Sequence, residues 1–177
     1  MIRVVVPYAG PRGKTRLELS PSEREQLSLA MLMDVLAAAL EVGQTWVVSP
    51  DAPAQESAAG WIPDPGGGQG AAVDAALREI GAGPVLVVNA DLPSLSAEDL
   101  RALAEATPEH GIAIAAAADG TTNALGLSDA TLFAPLYGKD SARRFRAYAE
   151  RSGLAAIDVA RPGLRHDVDT LADLVNA

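Results

Sequence analysis

Short β-branched runs alternate with longer amphipathic patterns along the whole chain, and no other feature constrains the fold as much. Strand, helix, strand units of this kind close as crossover connections over a buried, mostly parallel sheet. The first strand is expected at residues 2–6, with Val4-Val5-Val6 at its centre. Ser20-Pro21-Ser22-Glu23 then predicts a helix start, with Ser as N-cap, Pro at the first helical position and Glu closing a capping box. Leu27, Met31, Val35 and Ala38 carry one apolar stripe to about residue 40. Strands are expected at 45–48, at 60–62 and, most apolar and hence central, at 84–89. A helix at 71–80 precedes that central strand, and Ser96-Ala97-Glu98-Asp99 opens another that runs to about residue 106. Strands at 112–117 and 124–127, a helix at 141–151, a strand at 155–159 and a terminal helix complete the pattern. With no internal repeat and no linker, the 177 residues read as one α/β domain.

Charge and residue usage narrow the chemistry. The net charge of −9 argues against a protein that wraps nucleic acid or anionic membranes. Lys14 and Lys139 are the only lysines, so a small polyanion would be held by these two ammonium groups or by arginine forks. The absence of cysteine removes disulfides, thiolate metal sites and a cysteine nucleophile. The opening residues reach a β-branched run at once and break at Pro7, unlike a signal peptide, and no apolar run approaches the ~20 residues that span a bilayer. These features predict a cytoplasmic location.

In open α/β sheets, ligands sit beyond the carboxyl ends of the strands. The loop after the first strand holds Gly10, Gly13, Lys14 and Arg16, in which backbone N–H groups and two cations can meet a polyphosphate, although the loop serves equally well as a basic surface turn. Its glycines are too close together for a Walker A motif. Asp91 directly follows the central strand; it suits either a magnesium ligand or a turn carboxylate. In Asp167-Val168-Asp169-Thr170, alternation puts two carboxylates on one side, where a cation would join them, while Asp169 or Thr170 could instead cap the last helix. Asp64-Pro65-Gly66-Gly67-Gly68-Gln69-Gly70 is a glycine-rich loop ahead of a helix. Thr121-Thr122-Asn123 and Gly138-Lys139-Asp140-Ser141 lie at element boundaries, with Ser141 expected to cap the helix that follows. His110 and His166 are the only histidines, His110 is expected on a surface loop, and no nucleophile triad is legible. These residue types suit a reaction whose nucleophile is already ionised, such as a phosphate oxygen, where alignment and charge neutralisation replace a general base.

The ordered motifs resemble the guanylyltransferases of deazaflavin coenzyme F-420 biosynthesis, which act on 2-phospho-L-lactate or phosphoenolpyruvate. The resemblance covers essentially the whole chain. It rests on Val6-Pro7 with Lys14-Thr15-Arg16-Leu17, on Glu23-Arg24-Glu25 with Ala30-Met31-Leu32 and Asp34-Val35-Leu36, and on Ala90-Asp91-Leu92-Pro93. It continues through Thr122-Asn123-Ala124-Leu125, Tyr137-Gly138 with Asp140-Ser141, and Gly163-Leu164 with Asp167-Val168-Asp169-Thr170 and Ala172-Asp173-Leu174.

This resemblance implies a single-domain, Rossmann-like nucleotidyltransferase fold, with GTP as cosubstrate and magnesium as metal. Asp91 and Asp169 would hold the metal; Lys14 and Arg16 would contact the triphosphate; Gly13, Gly68 and Gly70 would lie against the nucleotide. Thr122, Gly138 and Ser141 would hold a small phosphorylated acid: 2-phospho-L-lactate, phosphoenolpyruvate or 3-phosphoglycerate. A hand-off of the product to a downstream transferase is implied by analogy, and a homodimer is left open. The chain departs from the family at Gln69-Gly70, where Leu-Asn is usual, so the usual guanine contacts are not present in that form. It departs again at Phe145, where the family tends to carry His; Arg143, Arg144 and Arg146 nearby are expected to replace part of that acid contact.

Overall fold

A computed structural model describes residues 2–10, 19–52 and 58–168. The strands are β1 (Ile2–Pro7), β2 (Gly43–Ser49), β3 (Gly60–Pro63), β4 (Val85–Val88), β5 (Gly111–Ala116), β6 (Thr122–Leu127) and β7 (Ala155–Asp158). The helices are α1 (Pro21–Val42), α2 (Gln69–Ile80), α3 (Ala97–Ala106), α4 (Ser141–Arg151) and the single turn α5 (Pro162–Arg165). The strands form one seven-stranded sheet in the order β3-β2-β1-β4-β6-β5-β7, which puts β4 at its centre as its apolar sequence predicts. Only β6 runs against the others, pairing antiparallel with both β4 and β5. The cause is local: the turn between β5 and β6 is closed by Ala117 N–H to Thr121 O at 2.9 Å, and so short a connection can only return antiparallel.

Alternation along the strands feeds two cores. Val4, Val6, Leu86 and Val88 face α1 and α3 through Leu32, Leu36, Leu100 and Leu103. Val5, Val85 and Val87, with Ile112, Ile114 and Leu125, face α2 and α4 through Val73, Leu77 and Phe145. The expected capping box of Ser20 with Glu23 forms, and the helix start expected at Ser96 is closed by a second box with Asp99.

Some boundaries differ from the sequence reading. The helix α1 runs to Val42 and passes straight into β2 at Gly43, where any Cβ would sit 1.9 Å from the Ile2 carbonyl oxygen. The helix α2 begins at Gln69, two residues earlier than its apolar pattern indicates, because Gly68 at φ 91° ends the loop there. A 3-10 turn at Ala130–Leu132 and α5 are additional and too short to leave a periodicity. The expected terminal helix lies outside the described residues.

Candidate functional site

The carboxyl ends of β1, β2 and β4 open onto a cavity of about 250 Å³, walled by α1 and the start of α2. Tyr8 N–H donates to Val48 O at 2.8 Å and Asp64 N–H to Ser49 O at 3.0 Å, so the chain leaving β1 and β3 is held against β2 at the cavity rim. Ser28, Met31, Val48 and Ala72 give it a largely apolar floor. Asp64, Gln69, Asn89 and Asp91 supply its polar groups.

Asp91 stands half-buried on this cavity, just beyond β4, the position expected from its place after the most apolar strand. Its carbonyl accepts a hydrogen bond from Val168 N–H at 3.1 Å. Three further residues, Asn123, Arg161 and Gly163, hold the segment that brings Val168 there. Asn123, 1% exposed, donates through Nδ2 to Leu164 O at 3.1 Å and to Asp167 Oδ1 at 3.4 Å. Arg161 donates to Asp99 Oδ1 and Glu98 Oε1, each at 2.9 Å. Gly163 fits against α3 only because it has no side chain: a Cβ would lie 2.3 Å from Asp99 Oδ2.

Burial pushes the Asp99 carboxyl upward, but hydrogen bonds from Ser96 and Arg161, with the Arg161 charge, outweigh it and hold the group below its ordinary value. The Arg161 guanidinium is correspondingly raised, first by its hydrogen bond to Asp99.

A hard divalent cation takes carboxylate oxygens, one or two of them from the protein where phosphates supply the rest. Asp91 offers one such carboxylate on the cavity, the kind of oxygen donor that suits magnesium, and its backbone carbonyl accepts from Val168 N–H. Asp169 itself, like Gly13, Lys14 and Arg16, lies outside the described residues. Among the described residues, no three acidic or histidine side chains gather into a cluster.

Thr122 and Ser141, expected together, are together. Their hydroxyls lie 2.9 Å apart and both residues are buried. Ser141 is not the N-cap of α4, contrary to the sequence reading. Asp140, left-handed at φ 55°, occupies that position, and Ser141 enters the first turn with its hydroxyl directed inward to Thr122. Gly138, at φ 110°, shapes the turn that allows this, and its carbonyl accepts from Ser141 N–H at 3.0 Å.

The two glycines of the α2 loop that were expected against the nucleotide differ in setting. Gly68 lines the cavity, whereas Gly70 is pressed on Pro135, whose Cβ would lie 2.9 Å from an added methyl.

Phe145 is part of the core, stacked edge-on to Tyr137 with ring centroids 5.5 Å apart. Of the nearby arginines, Arg146 is committed to Asp158 through Nε at 2.8 Å, Arg144 Nη2 donates to Tyr137 O at 2.7 Å beside Gly138, and Arg143 is exposed. Burial raises the Tyr137 phenol well above its usual range. His110 is exposed, as expected.

Sequence reading missed Asn89 and Asn123. Asn89 Oδ1 accepts from Gln69 Nε2 at 2.7 Å, and Asn89 Nδ2 donates to Thr122 O at 3.2 Å, which links the cavity to the Thr122–Ser141 pair. The available signal was an amide directly after the central strand and another within the Thr-Asn motif.

Comparison with known proteins is consistent with this arrangement. Residues 2–176 match the family model described as guanylyl transferase CofC like. A phosphoenolpyruvate guanylyltransferase of Sphaerobacter thermophilus is 40% identical over 175 residues, covering 91% of this chain and 84% of the relative. A second, from Nocardia farcinica, is 36% identical over 184 residues, covering 94% and 80%. Among solved structures, a nucleotidyl transferase from Methanothermobacter superposes with a TM-score of 0.74 at 18% identity, covering 99% of this chain and 95% of that one. The 2-C-methyl-D-erythritol 4-phosphate cytidylyltransferase of Thermus thermophilus superposes at 0.64 and 19% identity, covering 98% and 95%. Those two likenesses establish the shared fold. No helix among the described residues is long and apolar enough to cross a membrane. With a family match over nearly its full length and relatives at this identity, the chain belongs to the CofC-like guanylyl transferase family.

Proposed function

We propose that this guanylyltransferase moves GMP from GTP to the phosphate of phosphoenolpyruvate or a close phosphorylated acid, in coenzyme F-420 biosynthesis. The observation that carries the reading is the placement of Asp91: on the cavity at the tip of the central strand, hydrogen-bonded through its carbonyl to the segment that leads into Asp169. The relatives at 40% and 36% identity, both phosphoenolpyruvate guanylyltransferases, support phosphoenolpyruvate as the acceptor.

An acceptor phosphate oxygen attacks the α-phosphorus of GTP in line. One P–O bond forms, the α–β bridging P–O bond breaks, and pyrophosphate leaves with its electron pair. The acceptor is ionised near neutral pH, so no side chain has to take a proton, and the protein's contribution is alignment and charge neutralisation. Asp91 and Asp169 would hold magnesium, which when bound supplies Lewis-acid neutralisation of the phosphates. Lys14 and Arg16 contact the triphosphate, with Gly13 and Gly68 lying against the nucleotide. Thr122, Gly138 and Ser141 shape the acceptor end, where the inward-facing hydroxyls stiffen the turn that receives the acid.

The test is pyrophosphate release with magnesium, GTP and each of phosphoenolpyruvate, 2-phospho-L-lactate and 3-phosphoglycerate, with mass detection of the GMP-capped diphosphate. Turnover with phosphoenolpyruvate is expected. Absence of turnover with all three acids, in a sample that binds GTP, would overturn the reading.

A further inference from the structure

The polar wall of the cavity has a direction that follows from hydrogen-bond chemistry. A backbone carbonyl can only accept, so at Thr122 O the side chain of Asn89 must present its nitrogen, as the 3.2 Å contact shows. Asn89 then turns its oxygen toward Gln69, and Gln69 must answer with its own nitrogen, at 2.7 Å. Two side-chain amides, each of which could otherwise turn either way, are thereby set by one carbonyl. The remaining atom, Gln69 Oε1, has no hydrogen bond among the described residues, and Gln69 lines the cavity.

A second acceptor stands on the same wall: Asp64, whose Oδ1 accepts from Gly66 N–H at 2.8 Å, lines the cavity too. Oxygen acceptors repel phosphates, so this wall does not suit the triphosphate. It suits a ligand edge that offers N–H donors. Beside it, Gly68 gives the start of α2 no side-chain cap, so N–H groups of its first turn are left to donate. Guanine matches this arrangement, with N1–H and the 2-amino group as adjacent donors and O6 as an acceptor next to them. Adenine presents an acceptor at N1, which would oppose an acceptor on the protein.

We propose that Gln69 is a specificity-determining residue, whose side-chain oxygen, aimed by Asn89, reads the N1–H and 2-amino edge of guanine. The assignment rests on the guanylyl-transfer reading and deepens it, by naming the atom that separates guanine from adenine. Asn89 is a positioning residue, acting through Gln69.

The experiment is equilibrium binding of GTP, ITP and ATP to the full chain without acceptor, so that no turnover intervenes. In the parent protein the expected order is GTP, then ITP, which lacks the 2-amino group, then ATP. Gln69→Leu is expected to weaken GTP about tenfold and to cut the GTP-to-ATP affinity ratio by at least about that factor, the scale of one lost hydrogen bond to a base edge. Asn89→Ala, which frees the Gln69 amide to turn, should lower the ratio by a smaller factor. Asn89→Asp should preserve it, because a carboxylate still accepts from Gln69 Nε2, even though its contact with Thr122 O is lost. An unchanged ratio in Gln69→Leu overturns the proposal while the guanylyl-transfer reading stands; ATP binding as tightly as GTP in the parent also overturns it. Loss of the ratio in a folded Asn89→Asp would overturn the aiming role. A parent protein that binds no GTP overturns both readings.

Discussion

The backbone N–H of Val168 donates to the carbonyl of Asp91 at 3.1 Å, joining the tip of the central strand to a segment 77 positions further along the chain. Val168 is fully buried, and the segment behind it is fastened by Asn123 and Arg161 before it reaches Asp91. The backbone of Asp91 is therefore tied to a described segment that is itself held at Leu164 by Asn123 and at Arg161 by Asp99.

Asp91→Asn keeps the shape of the side chain and its backbone contact with Val168, but removes the charge. Turnover is expected to fall by two or more orders of magnitude, while the melting temperature changes by a few degrees at most. Steady-state pyrophosphate release and thermal melts on the same sample test this. Near-normal turnover would remove Asp91 from the proposed metal site.

Asn123→Ala deletes a buried donor and leaves the Leu164 carbonyl without it. A stability loss of about 1 to 3 kcal/mol is expected, the usual cost of an orphaned buried acceptor. Amide exchange should rise at Leu164 and Val168 before it rises in β4. Equal protection throughout would mean that Asn123 does not fasten the segment.

Arg161 and Asp99 give the fastening a pH dependence. The Asp99 carboxyl is held below its ordinary value in the folded protein, so its contribution is complete above the unfolded value of ~3.9 and is lost as pH falls through the lower folded value. Asp99→Asn should be less stable than the parent near neutral pH, and the gap should close below about pH 4. Thermal melts from about pH 2.5 to 7 measure it. A gap that widened in acid would reverse the assigned sign. Glu98, the other partner of Arg161, is exposed and should matter little.

Much of this architecture was legible because its signals are local. Ser20 with Glu23 and Ser96 with Asp99 start helices by bonds three residues apart, and the Val85-Leu86-Val87-Val88 run marked the central strand by apolarity alone. Asp91 could be placed because ligands collect at the ends of such strands. The contacts that organise the site were not legible, since Asn123 reaches across 41 residues to Leu164 and Gln69 across 20 to Asn89. Ser141 was misread as a cap because a left-handed Asp140 leaves no trace in residue type, and nothing in the residue pattern around Phe145, read only as a departure from the family's His, showed that its ring joins the core.

The Thr122–Ser141 hydroxyl pair calls for a double-mutant cycle. Thr122→Val or Ser141→Ala alone leaves a buried hydroxyl without its partner, at a cost of about 1 to 3 kcal/mol; the double variant should lose less than the sum. Ser141→Ala should also raise KM for the acid more than KM for GTP. The opposite split would exchange the two pockets.

Tyr137 offers a test in the stabilising direction. Its hydroxyl is buried with no hydrogen bond among the described residues, its ring packs against those of Phe133 and Phe145, and burial raises the phenol so that it stays neutral. A neutral hydroxyl in such a place still forfeits its hydrogen bonds to water on folding. Tyr137→Phe keeps the tilted ring contacts and removes only that oxygen, so the variant should gain about 1 kcal/mol or more, offset in part by the small void left behind. Chemical denaturation at equal slope measures the gain. A loss above about 1 kcal/mol would show that the hydroxyl is satisfied in solution, with ordered water as the partner to look for.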